Sequence, residues 1–114
     1  MPKKYLCDHN HEKVGIANIP EESVLEKMTT MLKIAGDKTR LKILYSLVAG
    51  AKCVCEIQED IGASQSLVSH QLKILRDNNL VRTQKNGNRV LYSLSDSHVT
   101  ILLSLVHEHA TEED

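Results

Sequence analysis

The sequence predicts a mainly α fold with one small β hairpin: a winged helix-turn-helix of five or more helices that pairs as a homodimer. Three observations predict it. Apolar residues recur at helical spacing from about residue 21 to residue 77; the period switches from 3.6 to two around Asn86-Gly87; and the last helical stretch is apolar over a face too wide for a single neighbour.

Residues 1–20 lack apolar periodicity, end at Pro20, and read as an arm carrying Cys7, Asp8, His9 and His11, with residues 21–114 forming the folded domain. Val24, Leu25, Met28, Met31, Leu32 and Ala35 follow the apolar stripe of a first helix, with acidic residues in its first turn. Asp37 is the N-cap of a second helix that buries Leu41, Leu44, Leu47 and Val48, exposes Lys38, Arg40 and Lys42, and ends at Gly50. Ile57 and Ile61 define a short third helix stopped by Gly62, with Cys53 and Cys55 at its start. Ser64 caps a fourth helix with apolar Leu67, Val68, Leu72, Ile74 and Leu75; the short helix, the Gly62-Ala63 break and this longer helix make the helix-turn-helix.

After Asn79, Leu80 to Lys85 and Asn88 to Leu94 read as strands joined through Asn86-Gly87, a pair that suits a type I′ turn because both residues tolerate positive φ. The hairpin is a wing tipped by Lys85 and Arg89. A final helix, capped by Ser95 or Asp96, carries Val99, Ile101, Leu102, Leu103, Leu105 and Val106.

Composition narrows the class. At 114 residues the chain makes one domain, and with neither Trp nor Phe its core must be aliphatic. No apolar run approaches the roughly 20 residues of a membrane span, and the first residues lack a secretory apolar stretch, so a cytoplasmic protein with no membrane partner is expected. Cytosolic thiols stay reduced, which makes Cys7, Cys53 and Cys55 candidate metal or redox groups before candidate disulfides. Net charge is −1, but between Gly62 and Ser95 five basic residues face only Asp77, giving that segment +4. Such a patch can supply the phosphate attraction of a DNA-binding surface.

Asp96, His98, His109 and Glu112 are all of metal-ligand type. On one helix rising 1.5 Å per residue the two histidines stand about 16 Å apart, so one ion cannot bridge them. Zinc–nitrogen bonds are about 2.0–2.1 Å, so the four residues form one site only if Asp96 and His98 of one chain meet His109 and Glu112 of an antiparallel second copy. A metal at a dimer interface follows. Four protein ligands would close a tetrahedral zinc site and leave no position for an activated water, which argues against a zinc hydrolase and for no enzyme activity.

These features together, the run Ser64-Gln65-Ser66-Leu67-Val68-Ser69-His70-Gln71-Leu72, the doublet Cys53-Val54-Cys55 and the spacing Asp96-x-His98-x10-His109-x2-Glu112, closely resemble the ArsR–SmtB family of metal-sensing repressors over about residues 21 to 112. The resemblance implies a zinc site on the paired last helices and a cadmium-, lead- or zinc-binding thiolate site at Cys53 and Cys55. In the family the thiolate site is completed by N-terminal cysteines of the other protomer. This arm offers Cys7, followed by Asp8, His9 and His11, and of these Cys7 and His11 are the expected ligands. It also has Ala51-Lys52 where the family commonly has Glu-Leu before the doublet. Three sulfurs favour Cd²⁺ or Pb²⁺, whereas imidazole or carboxylate moves the site toward Zn²⁺.

The expected partner is double-stranded operator DNA. Ser64, Gln65, Ser66, Ser69, His70 and Gln71 on the reading helix suit base edges and phosphates, with Gln65 and Ser66 the best placed to read bases. Lys85 and Arg89 on the wing should meet phosphate or minor groove. By resemblance, the metal-free homodimer represses transcription and is released by Zn²⁺, Cd²⁺ or Pb²⁺, with His109 linking to main chain near Asn79. The alternative is a repressor of the same fold that senses oxidants through Cys53 and Cys55.

Overall fold

The computed structural model describes residues 18–112. Its order is α1 (Glu22–Ala35), α2 (Lys38–Ser46), α3 (Val54–Ile61), α4 (Gln65–Asp77), β1 (Val81–Asn86), β2 (Arg89–Leu94) and α5 (Ser97–Thr111). The expected winged helix-turn-helix is present: α3 and α4 form the helix-turn-helix and β1–β2 the wing.

Capping fixes most helix starts. Asp37 accepts from the Arg40 N–H at the head of α2, Ser64 from Leu67 N–H at the head of α4, and Asp96, rather than Ser95, from His98 N–H at the head of α5. Gly62 ends α3 in the left-handed region at φ 67°, so the turn into the reading helix needs no Cβ to be accommodated. α2 stops at Ser46, earlier than the expected Gly50, because Leu47, Val48 and Gly50 each bond three residues back in a tightening turn.

The core is aliphatic. Ile43 and Leu44 of α2, Ile57 of α3, Val68, Leu72 and Leu75 of α4, Leu80, Val81 and Leu94 of the wing base, and Val99 and Leu103 of α5 pack together. One expectation about burial needs correction. Val48 lies outside the core, and Ile43 takes the inward position instead. On α1, Val24, Met28, Met31 and Leu32 are all exposed, so its apolar stripe is not covered within one chain. Ile101, Leu102, Leu105 and Val106 of α5 are exposed as well.

β1 and β2 pair antiparallel with Asn86 opposite Arg89, so the two turn residues are Gly87 and Asn88. Positive φ falls on Gly87 alone, at 66°, and not on Asn86 or Asn88. This is the pattern of a type II′ turn with glycine first, not the expected type I′ turn centred on Asn86-Gly87: the ladder extends one residue further along β1 than the hydrophobic pattern indicated. A further strand-like bridge joins Lys52 to Tyr92, the two residues exchanging hydrogen bonds of 2.9 and 2.7 Å.

At the base of the wing, Asn79 adopts φ 61° and turns the chain out of α4. Leu80 N–H donates to the Leu75 carbonyl at 2.9 Å, and the Leu80 carbonyl accepts from Ser95 N–H at 3.1 Å.

Candidate nucleic-acid interface and metal-ligand positions

Along α4 the inward residues Val68, Leu72 and Leu75 leave Gln65, Ser66, Ser69 and His70 exposed on the opposite side. Ser64 spends its hydroxyl oxygen on the Leu67 cap at 3.2 Å. Gln71 differs from its neighbours. It is half-buried, and its Oε1 accepts from Arg40 Nη1 at 2.7 Å, while Arg40 Nε donates to the Ile34 carbonyl at 2.9 Å. One guanidinium thus joins the α1 C-terminus, α2 and α4. Arg40 is therefore a half-buried clamp, not the freely exposed cation that its place in the sequence indicated, and the Gln71 carbonyl oxygen is engaged inside the protein.

On the wing Lys85 is exposed, and Arg82 Nε donates to Ser93 Oγ at 3.4 Å across the hairpin. Arg89 reaches back toward α3: its Nη2 donates to Cys53 Sγ at 3.4 Å and lies 3.3 Å from Glu56 Oε1.

Cys53 is the N-cap of α3, in a capping box with Glu56: its side chain accepts from the Glu56 N–H, and its own N–H donates to Glu56 Oε1 at 2.9 Å. That backbone bond first, and the Cys53 side chain second, hold the Glu56 carboxyl below its usual range; the charges of Arg89 and Lys52 act in the same direction. Conversely the bond to Cys53, and the charges of Cys53 and Glu56, raise the affinity of Arg89 for its proton. Cys55 is exposed in the first turn of α3, and both cysteines are free. Lys52 forms an ion pair with Asp60. Cys7, Asp8, His9 and His11 lie outside the described residues.

The α5 residues fall into two pairs at opposite ends of the helix. His98 Nδ1 is 3.3 Å from Asp96 Oδ1, and His109 Nδ1 is 3.5 Å from Glu112 Oε1. Both imidazoles are nearly fully exposed, at 89% and 86% of the side chain. Asp96 Oδ1 also takes the His98 N–H cap bond at 2.9 Å, and among the described residues Oδ2 takes none. Among the described residues no group of three or more His, Cys, Asp or Glu converges within one chain, and no hydrogen bond joins His109 to Asn79. Each half supplies one imidazole nitrogen and one carboxylate oxygen, so two halves make the N₂O₂ set that zinc accepts in tetrahedral geometry.

Two residues of consequence escaped the sequence reading. Glu56 follows Cys53 by three, the spacing of a capping box in which cysteine replaces serine or threonine, and that spacing is the signal that marks it. Tyr45, whose hydroxyl donates to the Leu103 carbonyl, carries no local pattern that would have marked it.

A basic hairpin beside a helix-turn-helix whose second helix presents short polar side chains defines a DNA-binding regulator. Residues 37–83 match the model of bacterial regulatory proteins of the arsR family. The chain is 37% identical over 89 residues to a transcriptional repressor SmtB homolog of Synechocystis sp., covering 78% of this chain and 67% of the relative. It is 36% identical over 83 residues to a cadmium resistance transcriptional regulatory protein, CadC homolog, of Staphylococcus aureus, covering 72% and 69%. Among solved structures, the homodimeric winged helix-turn-helix domain of Mb0332 from Mycobacterium bovis superposes with a TM-score of 0.75 at 26% identity, over 86% of this chain and 93% of that one. This chain belongs to the ArsR/SmtB family of transcription regulators, which are not enzymes. No helix among the described residues is long and apolar enough to cross a membrane.

Proposed function

We propose that this chain is a metal-responsive transcriptional repressor: a homodimer that binds operator DNA when metal-free and releases it on binding Zn²⁺, Cd²⁺ or Pb²⁺. The carrying observation is the division of donors on α5, two at each end, with the exposed apolar residues Ile101, Leu102, Leu105 and Val106 between them. An antiparallel second α5 covers that face and brings Asp96 and His98 against the partner's His109 and Glu112. The exposed α1 residues Met28 and Leu32 extend the same face, and a homodimeric structural neighbour supports the pairing. Ion binding supplies a fixed crosslink between the two α5 helices. Cys53 and Cys55, completed by Cys7 and His11 of the arm, form a second site for Cd²⁺, Pb²⁺ or Zn²⁺; the likeness to a cadmium resistance regulator supports a metal response.

DNA is read by Gln65, Ser66, Ser69 and His70, with Lys85 and Arg89 on phosphate. Two reading helices enter successive major grooves only at the spacing that the α5 pair allows, so metal and DNA bind against each other by one coupling factor, typically about 5–150-fold. The test is an anaerobic titration of an operator selected by the metal-free protein from a random-sequence duplex pool, using wild type, Cys53→Ser and His98→Ala with each metal. Release by metal without thiol oxidation, altered by at least one substitution, supports the reading. Release only upon thiol oxidation would transfer it to the redox alternative, and no effect of either substitution on any metal's response defeats it.

A further inference from the structure

Arg89 is the first residue of β2, beside the wing turn, yet its guanidinium points away from the tip and onto the start of α3. There it meets two acceptors, Cys53 Sγ at 3.4 Å and Glu56 Oε1 at 3.3 Å. The contact lies open to solvent, with the Arg89 and Glu56 side chains 58% and 51% exposed. Backbone pairing of Lys52 with Tyr92 fixes β2 beside the cysteine segment three residues away. Arg89 meets α3 only through its side chain, which can leave without breaking the Asn86–Arg89 pair of the ladder.

We propose that Arg89 is shared between two anionic partners, the Cys53–Glu56 nest in the free protein and a DNA phosphate in the complex, so that the nest is an internal competitor for DNA. This rests on the reading of the wing as a phosphate-contacting element. An exposed ion pair of this kind contributes little to stability, which makes it exchangeable. The competition also gives the cysteine site a route to the wing. A thiol that takes a metal gives up its proton, and the resulting sulfur is a stronger acceptor for the Arg89 N–H. The Cys53 and Cys55 thiolates alone would balance one divalent ion, and Glu56 remains beside them, so the nest does not turn positive and expel the arginine. Loading of Cys53 therefore retains Arg89 on the nest and withholds it from DNA.

The metal-free arm of the test uses a mixed-sequence duplex of about 30 base pairs, because phosphate contacts are independent of sequence. Glu56→Gln keeps a side-chain acceptor for the α3 cap and removes the charge. It should tighten duplex binding at least about twofold, the lower end of couplings between residues in contact. Arg89→Gln should weaken binding and lower the slope of log affinity against log salt by about one per protomer. In the Arg89→Gln background the gain from Glu56→Gln should disappear. Arg89→Lys, which keeps the charge but not the forked donor, should retain the salt slope. An equal gain from Glu56→Gln in both backgrounds, or an unchanged slope in Arg89→Gln, overturns the proposal. In the second arm, Cd²⁺ should lower the wild-type slope toward that of Arg89→Gln and leave the slope of Arg89→Gln itself unchanged. A protein whose DNA binding ignores every metal defeats the metal-response reading, while the metal-free arm still decides the competition.

Discussion

Tyr45 donates its hydroxyl hydrogen to the Leu103 carbonyl at 2.7 Å, joining α2 to the middle of α5 across 58 residues of sequence. The Tyr45 ring also lies 6.1 Å from that of His107, tilted by 55°. Tyr45→Phe keeps the ring contact and removes the bond, so the expected loss is about 0.5–1.5 kcal/mol. For a domain of this size each 1 kcal/mol corresponds to about 4–8 °C in melting temperature, read by thermal unfolding at fixed protein concentration because the proposed dimer would make the midpoint depend on concentration.

Asp96 has two roles that substitution can separate. It caps α5 and faces His98, whereas His98 is nearly fully exposed and caps nothing. Asp96→Ala should lower stability by about 1 kcal/mol through the lost cap. His98→Ala should leave unfolding within about 0.5 kcal/mol of wild type. Both should abolish the zinc effect on operator binding. Were His98→Ala to respond to zinc normally while Asp96→Ala did not, Asp96 would be acting through the helix alone.

The two apolar surfaces should respond differently to truncation. Leu72 is fully buried among α2, α3 and the wing base, and Leu72→Ala should cost about 2–5 kcal/mol of stability. Leu105 is 58% exposed in one chain, and Leu105→Ser should leave the secondary structure unchanged while shifting dimer toward monomer. Sedimentation at several concentrations, with circular dichroism alongside, checks both.

Glu56 gives a pH signature. Its folded-state pKa lies below the ordinary value of 4.5, chiefly through the Cys53 N–H, so the folded protein binds this proton less readily than the unfolded chain. The stabilisation is complete above about 4.5 and fades as pH falls through the lower folded-state value. Glu56→Gln should flatten this acid limb and leave the slope near neutrality unchanged, as denaturant unfolding from pH 6 to pH 3 would measure.

Much of the architecture was legible because it rests on local chemistry. Asp37, Ser64 and Asp96 cap their helices through their own side-chain oxygens, and Gly62 closes α3 with a conformation that costs glycine nothing. The hairpin was legible as an element but not in its turn, because a one-residue difference in register changes which two residues lie at the tip and leaves the alternating pattern almost intact. The α1 stripe was legible as apolar but its exposure was not: periodicity reports which face is apolar, not whether this chain or a second copy supplies the cover. At the candidate site, α5 spacing separated the two donor pairs before any coordinates. The Arg40–Gln71 and Arg89–Cys53 contacts were not legible, since each joins residues more than 30 positions apart through a flexible side chain whose destination only the packed structure determines.

The hydrogen bonds around Leu80 have a mechanical consequence. Its N–H is bound to Leu75 near the end of α4, and its carbonyl is bound to Ser95, the residue before the α5 cap. The α5 end that carries Asp96 and the foot of the reading helix are thus two hydrogen bonds apart, with a single residue as the coupling pin. A rotation of the first turn of α5 has a route to α4 through Leu80 that does not pass along the hairpin. On the proposed reading the root of the wing would turn with α4 and α5 as one lever, and the operator would register rotation of that lever, not the ion itself.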